Sequence, residues 1–187
     1  MEKRKEAGYR LVEVPSRYGV IVLVWLDGAE RPVKRIFLAS GESETPARAF
    51  PGARPGSNRA IDALRRDMER FLAGRPVTLD VELCDLDACN PFQRRVLLAE
   101  HAIPRGWVST YGRIAEHIGA PRAARAVGTA LGRNPFPIVV PCHRVVRANG
   151  APGGFRGGLE MKRRLLEGEG IRFDANGRVS MEKIHYR

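Results

Sequence analysis

Residues 109–131 read Ser-Thr-Tyr-Gly-Arg-Ile-Ala-Glu-His-Ile-Gly-Ala-Pro-Arg-Ala-Ala-Arg-Ala-Val-Gly-Thr-Ala-Leu. A capping Ser109 or Thr110 opens a short helix over 111–118, Gly119-Ala120-Pro121 makes a tight turn, and a second helix over 122–131 follows at once. Two short helices joined by a three-residue turn with glycine make a helix-turn-helix pattern, whose second helix commonly enters a DNA groove. Such pairs also occur in α-rich domains that never meet DNA. The second helix narrows the choice, because Ala123, Ala124, Ala126, Gly128, Thr129 and Ala130 are small and Arg125 is the only long side chain in its middle. A major-groove reader needs several long polar side chains. This helix fits a shallow groove read by shape or lesion, and the alternative is close helix packing through its alanines.

Charge supports the DNA reading. The net charge is +11; residues 1–90 carry 15 Lys+Arg against 14 Asp+Glu, and residues 91–187 carry 17 against 7. Nearly all the excess therefore lies in the half that holds the helix pair, and 15 of its 17 basic residues are arginine. Guanidinium forks match phosphate geometry, so a polyanion is the expected partner.

A second feature of that half looks like chemistry. Pro141-Cys142-His143-Arg144-Val145-Val146 follows the apolar run Ile138-Val139-Val140. A thiol beside an imidazole is the raw material of a nucleophile, although a lone Cys-His pair can equally close a buried strand. Upstream, Asn90-Pro91 caps a helix expected to run to about Ala102, where Ile103-Pro104-Arg105-Gly106 breaks it.

The first half carries no comparable motif. Tyr9–Val14, Tyr18–Leu26 and Pro32–Leu38 read as strands of a hairpin or meander, residues 40–59 as a loop, and Arg59–Leu72 as an amphipathic helix. Val77–Leu83 alternates like one more strand, and residues 84–90 form a junction. The expected division is an N-terminal α/β supporting domain over residues 1–85 and a DNA-binding, chemically active domain over 86–187. No apolar run reaches the roughly 20 residues needed to span a membrane. Met1-Glu2-Lys3-Arg4-Lys5-Glu6 has no apolar stretch behind its charges, which speaks against a secretory signal. Three cysteines, at 84, 89 and 142, suit an intracellular chain better than a disulfide framework; Cys84 and Cys89 read as inert thiols, with a bond between them as the alternative.

Taken together, Phe92-Gln93, Ser109-Thr110-Tyr111, Ala124-Arg125-Ala126-Val127-Gly128, Asn134-Pro135, Pro137-Ile138, Pro141–Val146, Gly157-Gly158-Leu159, Lys162 and Leu165-Leu166 resemble the O6-alkylguanine-DNA alkyltransferases, the methylated-DNA–protein-cysteine methyltransferase family. The ordered match runs through roughly residues 91–169 without a gap. The resemblance implies a ribonuclease H-like N-terminal unit built of a small antiparallel sheet plus helix. It implies a mostly α C-terminal unit with a winged-helix-like helix-turn-helix.

It also implies roles. Cys142 would take the alkyl group from guanine O6, His143 would deprotonate it through a water, Glu169 would polarise His143, and Asn134 would act as the hinge. Arg125 would fill the stack left by the flipped nucleotide, and Tyr111 would crowd its phosphate. Thr110, Ala124, Gly128, Arg133 and Arg144 would complete the DNA face, and Val145, Pro137, Phe155 and Arg156 the alkyl and base pocket. Flipping is required because O6 is paired inside a duplex. A thioether has no easy leaving group, so each molecule would act once.

The expected partner is double-stranded DNA carrying O6-alkylguanine, with O4-alkylthymine as a candidate second lesion. No cofactor, metal or membrane is expected, and the chain is expected to be a cytoplasmic monomer. Two departures from the family stand out: Leu97 replaces a common tryptophan, and no histidine precedes His101 to build the N-terminal zinc site of some members. A cysteine hydrolase would leave the basic half unexplained. A lesion sensor of the same family would lack the cysteine, and a transcription regulator would need effector or dimerisation segments.

Overall fold

Alternating Val, Ile and Leu over residues 9–37 produce three strands, β1 (Tyr9–Ser16), β2 (Gly19–Leu26) and β3 (Val33–Phe37), paired antiparallel in the order β3-β2-β1. The computed structural model describes residues 8–186, so the charged stretch at residues 1–6 lies outside the described residues. The stretch expected to be a loop holds two short elements, α1 (Pro46–Ala49) and β4 (Arg54–Pro55). Since β4 pairs parallel with β1, the sheet is mixed and not purely antiparallel. The helix α2 (Arg59–Leu72) is capped by Asn58, whose side chain accepts from the Ile61 amide at 3.0 Å, and it buries Ile61, Leu64, Met68, Phe71 and Leu72.

Val77–Leu83 is not a strand. Asp80 accepts from the Glu82 amide at 2.9 Å and turns Val81–Leu83 into a 3-10 turn. Just beyond it, Cys84 makes an isolated parallel bridge to Val33. Local side-chain capping here outcompetes the ladder that the alternation suggested.

The basic half forms α3 (Pro91–His101), capped by Asn90, then β5 (Ser109–Thr110), α4 (Tyr111–His117), α5 (Ala124–Gly132), β6 (Val145–Val146) and α6 (Gly158–Gly168). Thr110 caps α4 through the Arg113 amide at 3.2 Å. Gln93 on α3 donates to the Ala130 and Arg133 carbonyls at 3.2 and 3.1 Å, fixing the C-terminal end of α5. β5 and β6 pair in parallel and bring the cysteine turn beside the start of α4.

One apolar cluster runs from Ile21 and Met68 through Val96, Leu97 and Val127 to Val145 and Leu165. Leu97, in place of the family's common tryptophan, is fully buried in it. The Ile36 amide donates to the Pro135 carbonyl at 2.8 Å, so the edge of the N-terminal sheet holds the segment that leads into the cysteine turn.

Met68 is fully buried on α2 while Arg66 on the same helix is exposed. Met68→Ala should lower unfolding free energy by about 2–5 kcal/mol, and Arg66→Ala should stay within about 0.5 kcal/mol, both read from urea melts.

Candidate active site

Cys142 opens a 3-10 turn, Cys142–Arg144, entered through Ile138 with φ +76°. That backbone is unfavourable for a β-branched residue, and Asn134 braces it. The Asn134 side chain is buried, its Oδ1 accepts from the Phe136 amide at 2.9 Å, and its Nδ2 donates to the Val140 carbonyl at 3.1 Å. The same Nδ2 lies 3.5 Å from Cys142 Sγ. Asn134 follows the C-cap of α5, so one side chain couples the helix-turn-helix to the thiol.

Behind the thiol lies a buried charged network. Arg144 grips Glu169 with two bonds, Nε to Oε2 at 2.9 Å and Nη2 to Oε1 at 2.8 Å, and its Nη1 donates to the Ile103 carbonyl at 2.7 Å. His143 Nε2 is 3.0 Å from Glu169 Oε1. Burial alone would raise the Glu169 carboxyl, but His143 and Arg144 hold it down at about 2. Burial lowers the His143 imidazole despite Glu169, so the ring is neutral at pH 7. A cationic His143 is therefore not the main support of the Glu169 charge, and the permanently charged Arg144 carries it.

The tautomer follows. An ionised carboxylate only accepts, so Nε2 carries the ring proton and Nδ1 keeps the basic lone pair. His143 Nδ1 is buried without a protein hydrogen-bond partner. Burial pushes the Cys142 thiol up first of all, and the Asn134 hydrogen bond, Lys162 and Arg156 pull it back. The resting pair is thus a thiol and a neutral imidazole with a free lone pair.

A cavity of about 730 Å³ opens over Cys142, with Tyr111, Gly128, Asn134, Pro137, Phe155 and Arg156 among its lining residues. Arg125 and Arg133 are exposed, while Ala124 and Gly128 are half-buried on α5. The Tyr111 ring lies against Gly128, where an added Cβ would sit 3.7 Å away.

Three of the expected site residues are turned inward. Thr110 is buried, and its hydroxyl is engaged as the α4 cap. Arg144 is buried and holds Glu169 and Ile103, so it is an internal support. Val145 is fully buried in β6 and is not among the residues lining the cavity; its carbonyl accepts from Lys162 Nζ at 2.6 Å. Glu169, at the C-cap of α6, is buried and not an exposed member of a charged stretch. Cys84 is a buried free thiol pushed up by burial, and Cys89 is a free thiol raised for the same first reason. Among the described residues no cluster of metal-ligating side chains occurs, and no helix is long and apolar enough to cross a membrane.

Two features escaped sequence reading. Arg35, Gly41, Glu42 and Ser43, from the half without motifs, line the cavity. Glu100 is fully buried on α3 with neither carboxylate oxygen hydrogen-bonded. Its place on the apolar stripe beside Val96 and Leu97 was a signal the helical spacing offered. Burial raises the Glu100 carboxyl to about 8, against the pull of Lys162 and Arg144.

The fold thus tolerates Glu100 in its neutral form. Its contribution is fully present below about pH 4.5 and is lost as pH rises through about 8. Glu100→Gln should flatten that part of the stability profile and gain about 1–3 kcal/mol at pH 8.5, measured by denaturant melts across pH.

Comparison with known proteins gives concordant findings. Residues 91–171 match the family model described as 6-O-methylguanine DNA methyltransferase, DNA binding domain. A methylated-DNA–protein-cysteine methyltransferase of Methanothermobacter thermautotrophicus is 45% identical over 112 residues, 60% of this chain and 62% of that protein. The match therefore spans less than two thirds of that relative. A protein of the same name from Mycolicibacterium paratuberculosis is 42% identical over 84% of this chain and 89% of its own length. The crystal structure of Mycobacterium tuberculosis O6-methylguanine methyltransferase is similar with a TM-score of 0.68 and 34% identity, covering 86% of this chain and 92% of that one. Mycobacterium tuberculosis OGT in complex with DNA is similar with a TM-score of 0.65 and 35% identity, covering 87% of this chain and 92% of that one.

Proposed function

We propose that this chain, which belongs to the methylated-DNA–protein-cysteine methyltransferase family, repairs DNA by moving the alkyl group of O6-alkylguanine irreversibly onto its own Cys142. The observation that carries the residue assignment is the 3.0 Å contact of His143 Nε2 with Glu169 beside a buried Nδ1 that has no protein partner. With Nε2–H committed to Glu169, the only free lone pair of the ring is at Nδ1, in the turn that holds the thiol.

In the transfer, the Cys142 proton passes through a water to His143 Nδ1. The sulfur lone pair forms a bond to the alkyl carbon as the carbon–O6 bond breaks. The electron pair of that bond leaves with guanine, which takes up a proton and is restored. Glu169 supports the imidazolium formed, and Arg144 keeps Glu169 ionised through neutral pH. No cofactor takes part, because nucleophile, base and leaving group supply every electron. The thioether product has no leaving group, so each molecule acts once.

Duplex DNA would lie across α5, where Arg125 and Arg133 are exposed and Ala124 and Gly128 allow close approach. Arg125 would occupy the stack of the flipped nucleotide, and Tyr111 and Asn134 would border its path to Cys142. Pro137, Phe155 and Arg156 would border the base and its alkyl group. The division at residues 85/86, a ribonuclease H-like first unit, a winged-helix-like second unit, a monomeric state and a cytoplasmic site of action complete the proposal. Cys142 itself counts against a non-repairing lesion sensor.

Duplex DNA carrying labelled O6-methylguanine should leave its label on the Cys142 peptide, detected by digestion and mass measurement. An unlabelled peptide with the lesion intact contradicts the assignment, as does transfer that survives Cys142→Ala. Arg125→Ala should slow duplex repair by about tenfold or more while leaving reaction with the free base O6-benzylguanine within twofold. Equal losses on both substrates would make Arg125 a structural residue.

A further inference from the structure

The wall of the cavity opposite the helix-turn-helix comes from the N-terminal half. Leu38–Ser43 laps over the loop that carries Phe155 and Arg156, and the two backbones touch. A Cβ built on Gly41, whose φ is +77°, would lie 1.6 Å from the Arg156 carbonyl oxygen. Ser40 Oγ reaches the Gly157 carbonyl at 3.5 Å, and a Cβ on Gly157 would meet Leu38 Cδ1 at 3.2 Å.

Glu42 is the centre of this contact. Its side chain is only 11% exposed, its Oε1 accepts from the Leu38 amide at 3.1 Å, and its Oε2 faces Arg35 Nη2 at 3.4 Å. Its Oε1 also lies 3.6 Å from Arg156 Nη1, which is buried and has no hydrogen-bond partner. Arg156 Nη2 donates to the Gly132 carbonyl at 2.9 Å, at the end of α5. The guanidinium therefore bridges the N-terminal wall and the DNA-facing helix across the cavity that holds Cys142. An ionic contact of 3.6 Å with no hydrogen bond holds Arg156 by charge, and that hold disappears if Glu42 becomes neutral.

We propose that Glu42 is a positioning residue for the transfer: by holding Arg156 across the pocket it sets the positive charge beside Cys142 and the room left for the alkyl group. The N-terminal half then forms part of the reaction site and limits alkyl size. This rests on Cys142 being the alkyl acceptor. Neutralising Glu42 frees Arg156, removes a cation that favours the thiolate and opens the wall. Methyl transfer slows and larger alkyl groups gain relative to methyl.

The test is a double-mutant cycle on the full chain, with Glu42→Gln and Arg156→Ala alone and together, and Glu44→Gln as a control outside the cavity. Single-turnover transfer from O6-methylguanine duplex is resolved into maximal rate and apparent dissociation constant, and O6-benzylguanine free base reports the larger group. E42Q should lower the maximal rate about three- to tenfold, leave the dissociation constant within about twofold, and raise the benzyl-to-methyl rate ratio. In the R156A background, E42Q should have no further effect. Equal losses in both backgrounds, or wild-type behaviour of E42Q, would overturn the proposal. If E42Q does not fold by circular dichroism, Glu42→Asp, which shortens the reach to Arg156, takes its place in the cycle. Gly41→Ala should independently lower the maximal rate about tenfold or more at unchanged duplex affinity, and an unchanged rate contradicts the shared wall. Absence of transfer by the wild-type protein would remove the alkyltransferase reading itself, whereas normal wild-type transfer with a flat E42Q response removes only this proposal.

Discussion

The site depends on the Asn134 side chain. Three groups converge on it, the Phe136 amide, the Val140 carbonyl and the Cys142 thiol, at 2.9, 3.1 and 3.5 Å. The constraint is steric as much as polar: Ile138 is held at positive φ, which an isoleucine avoids unless its surroundings impose it. Asn134 lies just beyond α5, whose end is fixed by Gln93, and just after the residues that a DNA backbone would touch. The end of α5 and the position of the thiol are consequently linked through one amide.

Electrostatics then separates support from reactivity. The permanent charge of Arg144 is placed behind the Cys142 turn, where it fixes Glu169 as an anion. Burial keeps His143 neutral with its Nδ1 lone pair free. Because Glu100 is itself largely protonated through neutral pH, it opposes thiolate formation less than a full negative charge would. Lys162 and Arg156 are the cations that favour thiolate formation at Cys142. The net basic charge of the second half thus divides into exposed arginines such as Arg125 and Arg133 and cations set around Cys142.

Much of this was legible in the chain because it is local. Capping by Thr110, the turn at Gly119-Ala120-Pro121 and the small-residue helix around Arg125 each lie within a few residues, and the helix pair formed where they indicated. The roles of Cys142, His143 and Glu169 came from the resemblance to the family, and the geometry brings His143 and Glu169 into contact. What was misread turned on which partner, near or distant, takes a side chain's polar group. The resemblance put Arg144 on the DNA face, but Glu169, 25 residues away, takes it inward. Thr110 could have faced a phosphate, yet its hydroxyl is engaged by the Arg113 amide. Val77–Leu83 alternates like a strand, and the Asp80 side chain turns it instead. The Gly41–Arg156 approach joins segments more than a hundred residues apart, and no local pattern announces such a contact.

The central claim is that Asn134 holds Cys142 ready for transfer. The most direct measurement is the rate at which Asn134→Ala, shown by circular dichroism to be folded, takes the benzyl group from O6-benzylguanine free base, which needs no DNA. A rate lower by about a hundredfold, with the His143–Glu169 pair untouched, is the result this account predicts. A rate within twofold of the wild type would contradict it, because the thiol would then be positioned without the clamp.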